Sequence, residues 1–124
     1  MHNPVLMKNK LIVVVEEDEH IRYLLKLILE DHGYTVISSH ELLPELLDSR
    51  TPDLFVLDVS LSNPVSEELY QSLKVNSDTA NTPILLTSTA LDLEEKAAVW
   101  KVQAYVSKPF DVAHLVETVD EIFA

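Results

Sequence analysis

No cysteine occurs in the 124 residues, which excludes a disulfide framework and any thiolate metal site. Glycine occurs once, at Gly33, and that scarcity removes the glycine-rich phosphate loops of dinucleotide-binding folds and P-loop enzymes. Basic residues are few: nine Lys+Arg stand against 21 Asp+Glu, a formal net charge of -12. A surface so acidic repels a phosphate backbone, so direct nucleic-acid binding is not expected, whereas cations and basic partners suit it. No apolar run approaches the roughly 18 residues of a membrane span, and Met1 to Lys10 lacks the apolar segment of a signal peptide. The expectation is a cytoplasmic protein with no membrane insertion. Five histidines (His2, His20, His32, His40 and His114) are scattered without paired metal-ligand spacing.

What is present is enough for one core. Hydrophobic residues make up 47% of the chain, and neither repeats nor linkers divide it, so residues 1–10 are read as a tail and 11–124 as one domain. Short continuous apolar runs, Leu11 to Val15, Leu54 to Leu57 and Ile84 to Leu86, suit strands covered on both faces, as in a parallel sheet. Tyr34 to Ser38 and Ala104 to Ser107 are more mixed, as edge strands are. Between them lie segments of helical spacing. Ile21, Leu24, Leu25, Ile28 and Leu29 form the first, with Gly33 as its C-terminal cap. Leu42, Leu43, Leu46 and Leu47 form the second, and Leu69 and Leu73, opened by Ser66, the third. Leu93, Ala97 and Trp100 form the fourth. Val112, Leu115, Val116, Val119, Ile122 and Phe123 form the fifth, capped by Asp111. The order βαβαβαβαβα implies a parallel sheet with helices on both sides. A flavodoxin-like α/β three-layer sandwich with strand order 2-1-3-4-5 is what remains.

In such sheets a ligand site lies beyond the carboxyl ends of the strands. Strand 1 runs into Glu16-Glu17-Asp18-Glu19, strand 3 ends at Asp58, strand 4 runs into Thr87-Ser88-Thr89, and strand 5 into Lys108-Pro109. Each taken singly has a plain structural explanation: acids favour helix N-termini, hydroxyls cap helices, and a strand-end Asp is commonly a turn residue. Their convergence on one edge points to chemistry. Clustered carboxylates invite a hard divalent cation such as Mg²⁺, an Asp facing it can attack phosphorus, and an ammonium can neutralise phosphoryl charge.

These residues resemble the receiver domains of response regulators, whose simplest members are chemotaxis-type single domains. The resemblance rests on I-V-V-V-E-E-D-E-H-I-R at 12–22, P-D-L-F-V-L-D at 52–58, T-P-I-L-L-T-S at 82–88 and Y-V-S-K-P-F at 105–110. It implies that Asp58 is the phospho-acceptor and that Mg²⁺ (or Mn²⁺) is held by Glu17, Asp58, the carbonyl of Ser60 and Glu16. It implies further that Lys108 contacts the phosphoryl group, that Ser88, or failing it Thr87, is the switch hydroxyl, and that Tyr105 is the aromatic that turns inward with it. The implied partners are a histidine kinase or phosphotransfer protein and a downstream protein target or fused effector domain. The helix 4–strand 5–helix 5 face is one that family members commonly use for partners, a homodimer among them. Two differences stand out: the acidic pair is Glu-Glu where Asp-rich pairs are commoner, and the loop after Asp58 reads Ser60 to Ser66 without the usual Gly.

Three function classes follow. The first is a phosphorylation-driven switch that catalyses only its own phosphorylation and dephosphorylation and is otherwise no enzyme. The second is a receiver-like interaction module independent of phosphate. The third, a haloacid-dehalogenase-type phosphatase, needs a second Asp two residues after the nucleophile, where this chain has Ser60.

Overall fold

The computed structural model describes residues 10–41, 50–58, 64–88, 98, 102, 104–108 and 111–124. The expected second and fourth helices, the loop carrying Ser60, and Pro109 lie outside them. In chain order the elements are β1 (Leu11–Val15), α1 (Glu19–Asp31), β2 (Thr35–Ser39), β3 (Leu54–Asp58), α2 (Pro64–Val75), β4 (Ile84–Ser88), β5 (Ala104–Ser107) and α3 (Val112–Phe123). Five strands pair in parallel in the order β2-β1-β3-β4-β5, which is the expected order.

Alternation of side chains along each strand divides the core into two layers. Ile12, Val14, Val36, Leu54, Val56, Leu85 and Val106 pack against Leu25 and Leu29 of α1 and Leu115 and Val119 of α3. Val13, Val15, Phe55, Leu57, Ile84 and Leu86 pack against Tyr70 and Leu73 of α2. Both faces of β1, β3 and β4 are therefore covered, which is why their sequences are unbroken apolar runs. Each fully buried Val, Leu or Ile contributes about 1.5–3 kcal/mol of transfer free energy, so the central strands carry much of the driving force.

The helix boundaries have local causes. Asp18 caps α1, its carboxylate accepting from the N–H groups of His20 and Ile21 at 2.9 and 3.0 Å. These bonds, that from Ile21 foremost, hold the Asp18 carboxyl below its ordinary range. Asp111 caps α3 in the same way, accepting from Ala113 and His114. Gly33 follows the end of α1 with φ of 101°, a left-handed backbone that glycine adopts without the steric cost of a Cβ.

Several expected boundaries shift. The second strand spans Thr35–Ser39 rather than Tyr34 to Ser38, because its backbone pairs with β1 from Leu11↔Thr35 to Val15↔Ser39. The third expected helix opens at Pro64, not Ser66; a proline suits a first helical position, since its missing N–H would have had no intrahelical partner. Strands β3 and β4 run on through Asp58 and Ser88. Leu24 and Val112, assigned to core-facing stripes, are exposed. Each helix touches the sheet along only one stripe, filled here by Leu25 and Leu29 in α1 and by Leu115 and Val119 in α3.

At the amino-terminal end of the sheet a polar cluster ties α3 to α1 and β2. The buried Tyr34 hydroxyl donates to Asp120 Oδ1, and His32 Nε2 lies 2.9 Å from Asp120 Oδ2. Burial, reinforced by the Asp120 carboxylate, pushes the Tyr34 hydroxyl far above its ordinary pKa, so it remains a proton donor. The Tyr34 ring also packs on Phe123, centroids 5.4 Å apart.

Candidate functional site

The strand ladder itself assembles the site. Beyond β1 the Glu16 N–H donates to the Ser39 carbonyl at 3.0 Å, and beyond β5 the Lys108 N–H donates to that of Ser88 at 2.9 Å. The pairing thus continues one residue past each strand and carries the alternation with it. Glu16 follows Val14 by two residues, Asp58 follows Val56, Thr87 follows Leu85 and Lys108 follows Val106. All four therefore take the parity of the α1/α3 layer, and Glu16, Asp58 and Lys108 meet at the carboxyl edge.

Lys108 links them. Its ammonium donates to Asp58 Oδ1 at 2.8 Å and also to Glu16 Oε1. Side-chain exposure is 1% for Glu16, 9% for Lys108 and 18% for Asp58. Asp58 is thus the member of this trio most open to a reactant from solvent. Burial raises the Glu16 carboxyl above its ordinary value; the Lys108 bond pulls it back down, and the Asp58 carboxylate pushes it up again. Burial works against the Lys108 charge, but the bonds to Asp58 and Glu16 outweigh it and hold the ammonium above its ordinary value.

Both candidate hydroxyls are buried at the end of β4. The register sets Thr87 level with Asp58, and Ser88 sits one residue, about 3.3 Å, nearer the carboxyl edge. The Thr87 hydroxyl has no hydrogen-bond partner among the described residues. Tyr105 lies on the edge strand β5 and is 39% exposed. Glu17 is exposed at the loop between β1 and α1. The Ser60 carbonyl lies outside the described residues. The residue that closes the 12–22 motif, with no role implied for it there, also belongs here. Arg22 donates from Nη1 to the carbonyl oxygens of Glu16 and Glu17. Its signal is a cation in the first turn of a helix, where the dipole disfavours positive charge.

The family model for the response regulator receiver domain matches residues 12–120. The chain belongs to that family. It is 31% identical over 108 residues to the KDP operon transcriptional regulatory protein KdpE of Escherichia coli, covering 84% of this chain and 47% of that protein. It therefore spans about half the length of that relative. It is 28% identical over 114 residues to the polar-differentiation response regulator DivK of Brucella anthropi, covering 89% of this chain and 93% of that protein. Among solved structures, the chemotaxis response regulator CheY4 of Vibrio cholerae superimposes with a TM-score of 0.78 at 23% identity, covering 91% of this chain and 98% of that one. A response regulator of Burkholderia multivorans does so with a TM-score of 0.71 at 26% identity, covering 93% and 95%. The receiver thus has the flavodoxin-like fold of these two-component signalling proteins. No helix among the described residues is long and apolar enough to cross a membrane.

The donor set of this receiver suits a hard cation. No group of three His, Cys, Asp or Glu side chains is preassembled for a metal among the described residues. Mg²⁺ needs no such cage, since it typically binds one or two carboxylates together with waters and a phosphate. Asp58 and Glu17 offer oxygen ligands only. Burial is the main cause that raises Glu16, and the neighbouring Asp58 carboxylate raises it further; crowded carboxylates of this kind suit a divalent ion.

Proposed function

We propose that this receiver takes a phosphoryl group onto Asp58 from a histidine kinase or phosphotransfer protein, with Mg²⁺ (or Mn²⁺) bound at Asp58 and Glu17, and so switches a protein-interaction surface. The observation that carries this reading is the Lys108 bridge at the carboxyl edge of the sheet. It holds one Asp58 oxygen while the acceptor keeps access to solvent. An Asp58 oxygen attacks phosphorus as the bond to the donor histidine nitrogen breaks, and that nitrogen keeps the bonding electrons. The bound ion supplies positive charge against the phosphoryl oxygens. Lys108 supplies the complementary charge from the protein, and a strand-4 hydroxyl, Ser88 or Thr87, donates to a phosphoryl oxygen once the group is attached. The Ser60 carbonyl serves as a further ion ligand. The added charge is read out through the surface around Tyr105 on β5 and α3, to a downstream protein or a fused effector domain. Turnover is confined to the protein's own phosphoryl group, and the setting is cytoplasmic.

Incubation with Mg²⁺ and acetyl phosphate, followed by intact-mass analysis, tests this. One phosphoryl adduct is expected on the wild type and none on Asp58→Asn. Absence of an adduct on the wild type would leave the phosphate-independent module as the better account. An adduct that persists in Asp58→Asn would move the acceptor elsewhere.

A further inference from the structure

The loop between β1 and α1 carries three consecutive acids, Glu16 to Asp18, Glu19 opens α1, and Arg22 follows in its first turn. A guanidinium there sits against the helix dipole and within easy reach of carboxylates. Among the described residues it nonetheless forms no ion pair. Nη1 donates instead to the Glu16 carbonyl at 2.9 Å and the Glu17 carbonyl at 3.4 Å. Those carbonyls belong to the two peptide groups that flank the Glu17 Cα. Holding both planes from one point restricts both soft dihedrals of Glu17, and with them the direction of its side chain.

The neighbours are anchored by other means. Glu16 is tied through its N–H to Ser39 and through its carboxylate to Lys108. Asp18 is tied by its capping bonds to His20 and Ile21. Glu17, exposed between them, is the carboxylate that the proposed function assigns to the cation. We propose that Arg22 is a positioning residue for Glu17, directing its carboxylate to the cation site while itself touching neither ion nor phosphoryl group. The inference rests on the proposed cation-dependent acceptor role of Asp58.

Charge alone and positioning predict opposite signs. Deleting a positive charge near a cation site should tighten cation binding by Coulomb's law. Deleting a residue that orients a ligand weakens it, about tenfold at the lower end for such supporting groups. The experiment is Mn²⁺ binding to the full chain, followed by the electron paramagnetic resonance of free Mn²⁺, with chemical denaturation as a fold control. Arg22→Gln is expected to weaken binding about tenfold, and Arg22→Lys, which keeps the charge and one donor, by less. In a Glu17→Gln background the Arg22 change should no longer weaken binding, because the group it orients has lost its charge; a merely structural role would weaken both backgrounds alike. Wild-type or tighter affinity in folded Arg22→Gln overturns the proposal. If that variant fails to fold, Arg22→Lys decides: weaker binding supports the proposal and unchanged binding overturns it. A wild type without saturable Mn²⁺ binding overturns both this inference and the reading beneath it, whereas wild-type binding that the Arg22 variants retain overturns the inference alone.

Discussion

Replacing Lys108 by Met removes the ammonium that Glu16 and Asp58 share and keeps most of the apolar stem. The structure sets the size of the effect. Glu16 is 1% exposed and Lys108 9%, so water cannot take the place of the lost partner at Glu16. Removing one partner of a buried pair costs about 3–5 kcal/mol; the partial exposure of Asp58 places this site near about 3 kcal/mol at pH 8. The effect should depend on pH with a definite sign. Burial already lifts Glu16 above its ordinary 4.5, and the Lys108 bond opposes that lift. Without the lysine the carboxyl rises further. A group raised in the folded state contributes its stability in full below the unfolded value, and loses it as pH rises through the folded value. The deficit of Lys108→Met is therefore smallest near pH 4.5 and grows toward pH 8. Lys108 itself, raised above 10.5, stays charged over that range and adds no slope. Urea denaturation of both proteins across this interval, with the slope on denaturant checked for constancy, measures the difference. A deficit at pH 8 below about 1 kcal/mol, the range of a solvent-exposed ion pair, or a deficit that widens as pH falls, would refute the reasoning.

Two further substitutions probe single bonds. Thr87→Val removes a buried hydroxyl that has no partner among the described residues, and should raise stability by about 1 kcal/mol; an unchanged acetyl phosphate adduct in the same variant would leave Ser88 as the switch hydroxyl. Tyr34→Phe deletes the donor to Asp120 without altering ring packing, and should cost about 1.5–3 kcal/mol, as for a hydrogen bond to a charged group. A loss within a few tenths of zero would show that the Asp120 carboxylate finds an equivalent donor.

Much of this architecture is legible in the amino-acid sequence because two-sided burial leaves an unambiguous mark. Leu11 to Val15 and Leu54 to Leu57 have no polar alternation, and they are strands enclosed by helices on both faces. Helix caps are legible for a related reason, since Asp111 has a short side chain able to reach two nearby N–H groups. Exposure within a helix is harder to read. Leu24 differs from Leu25 by about 100° around the helix axis, which suffices to move it from the sheet to solvent. The site divides similarly. Its residue types and order follow from the strand ends, and the edge of the sheet they share follows from topology. Which of two adjacent glutamates turns inward depends on strand parity continuing past Val15, through a bond from Glu16 to Ser39 that no local pattern encodes. The Arg22 bonds are less legible because their acceptors are backbone carbonyls, present at every position; only a cation in the first turn of a helix hints at them.

The Tyr34–Asp120 contact bears on how motion would travel through this receiver. Helix α3 is fastened at the amino-terminal end of the sheet by Asp120, and the segment leading into it carries Lys108, which is fastened to the acceptor at the opposite end. A helix pinned at its far end answers a pull at its near end by pivoting, not by sliding. Val112 and Asp120 are eight residues apart, so the lever arm is about 12 Å, and drawing the near end sideways by about 1 Å tilts the helix by about 5°. Any displacement of the near end of α3 would on this geometry turn its face, with Asp120 as the fulcrum.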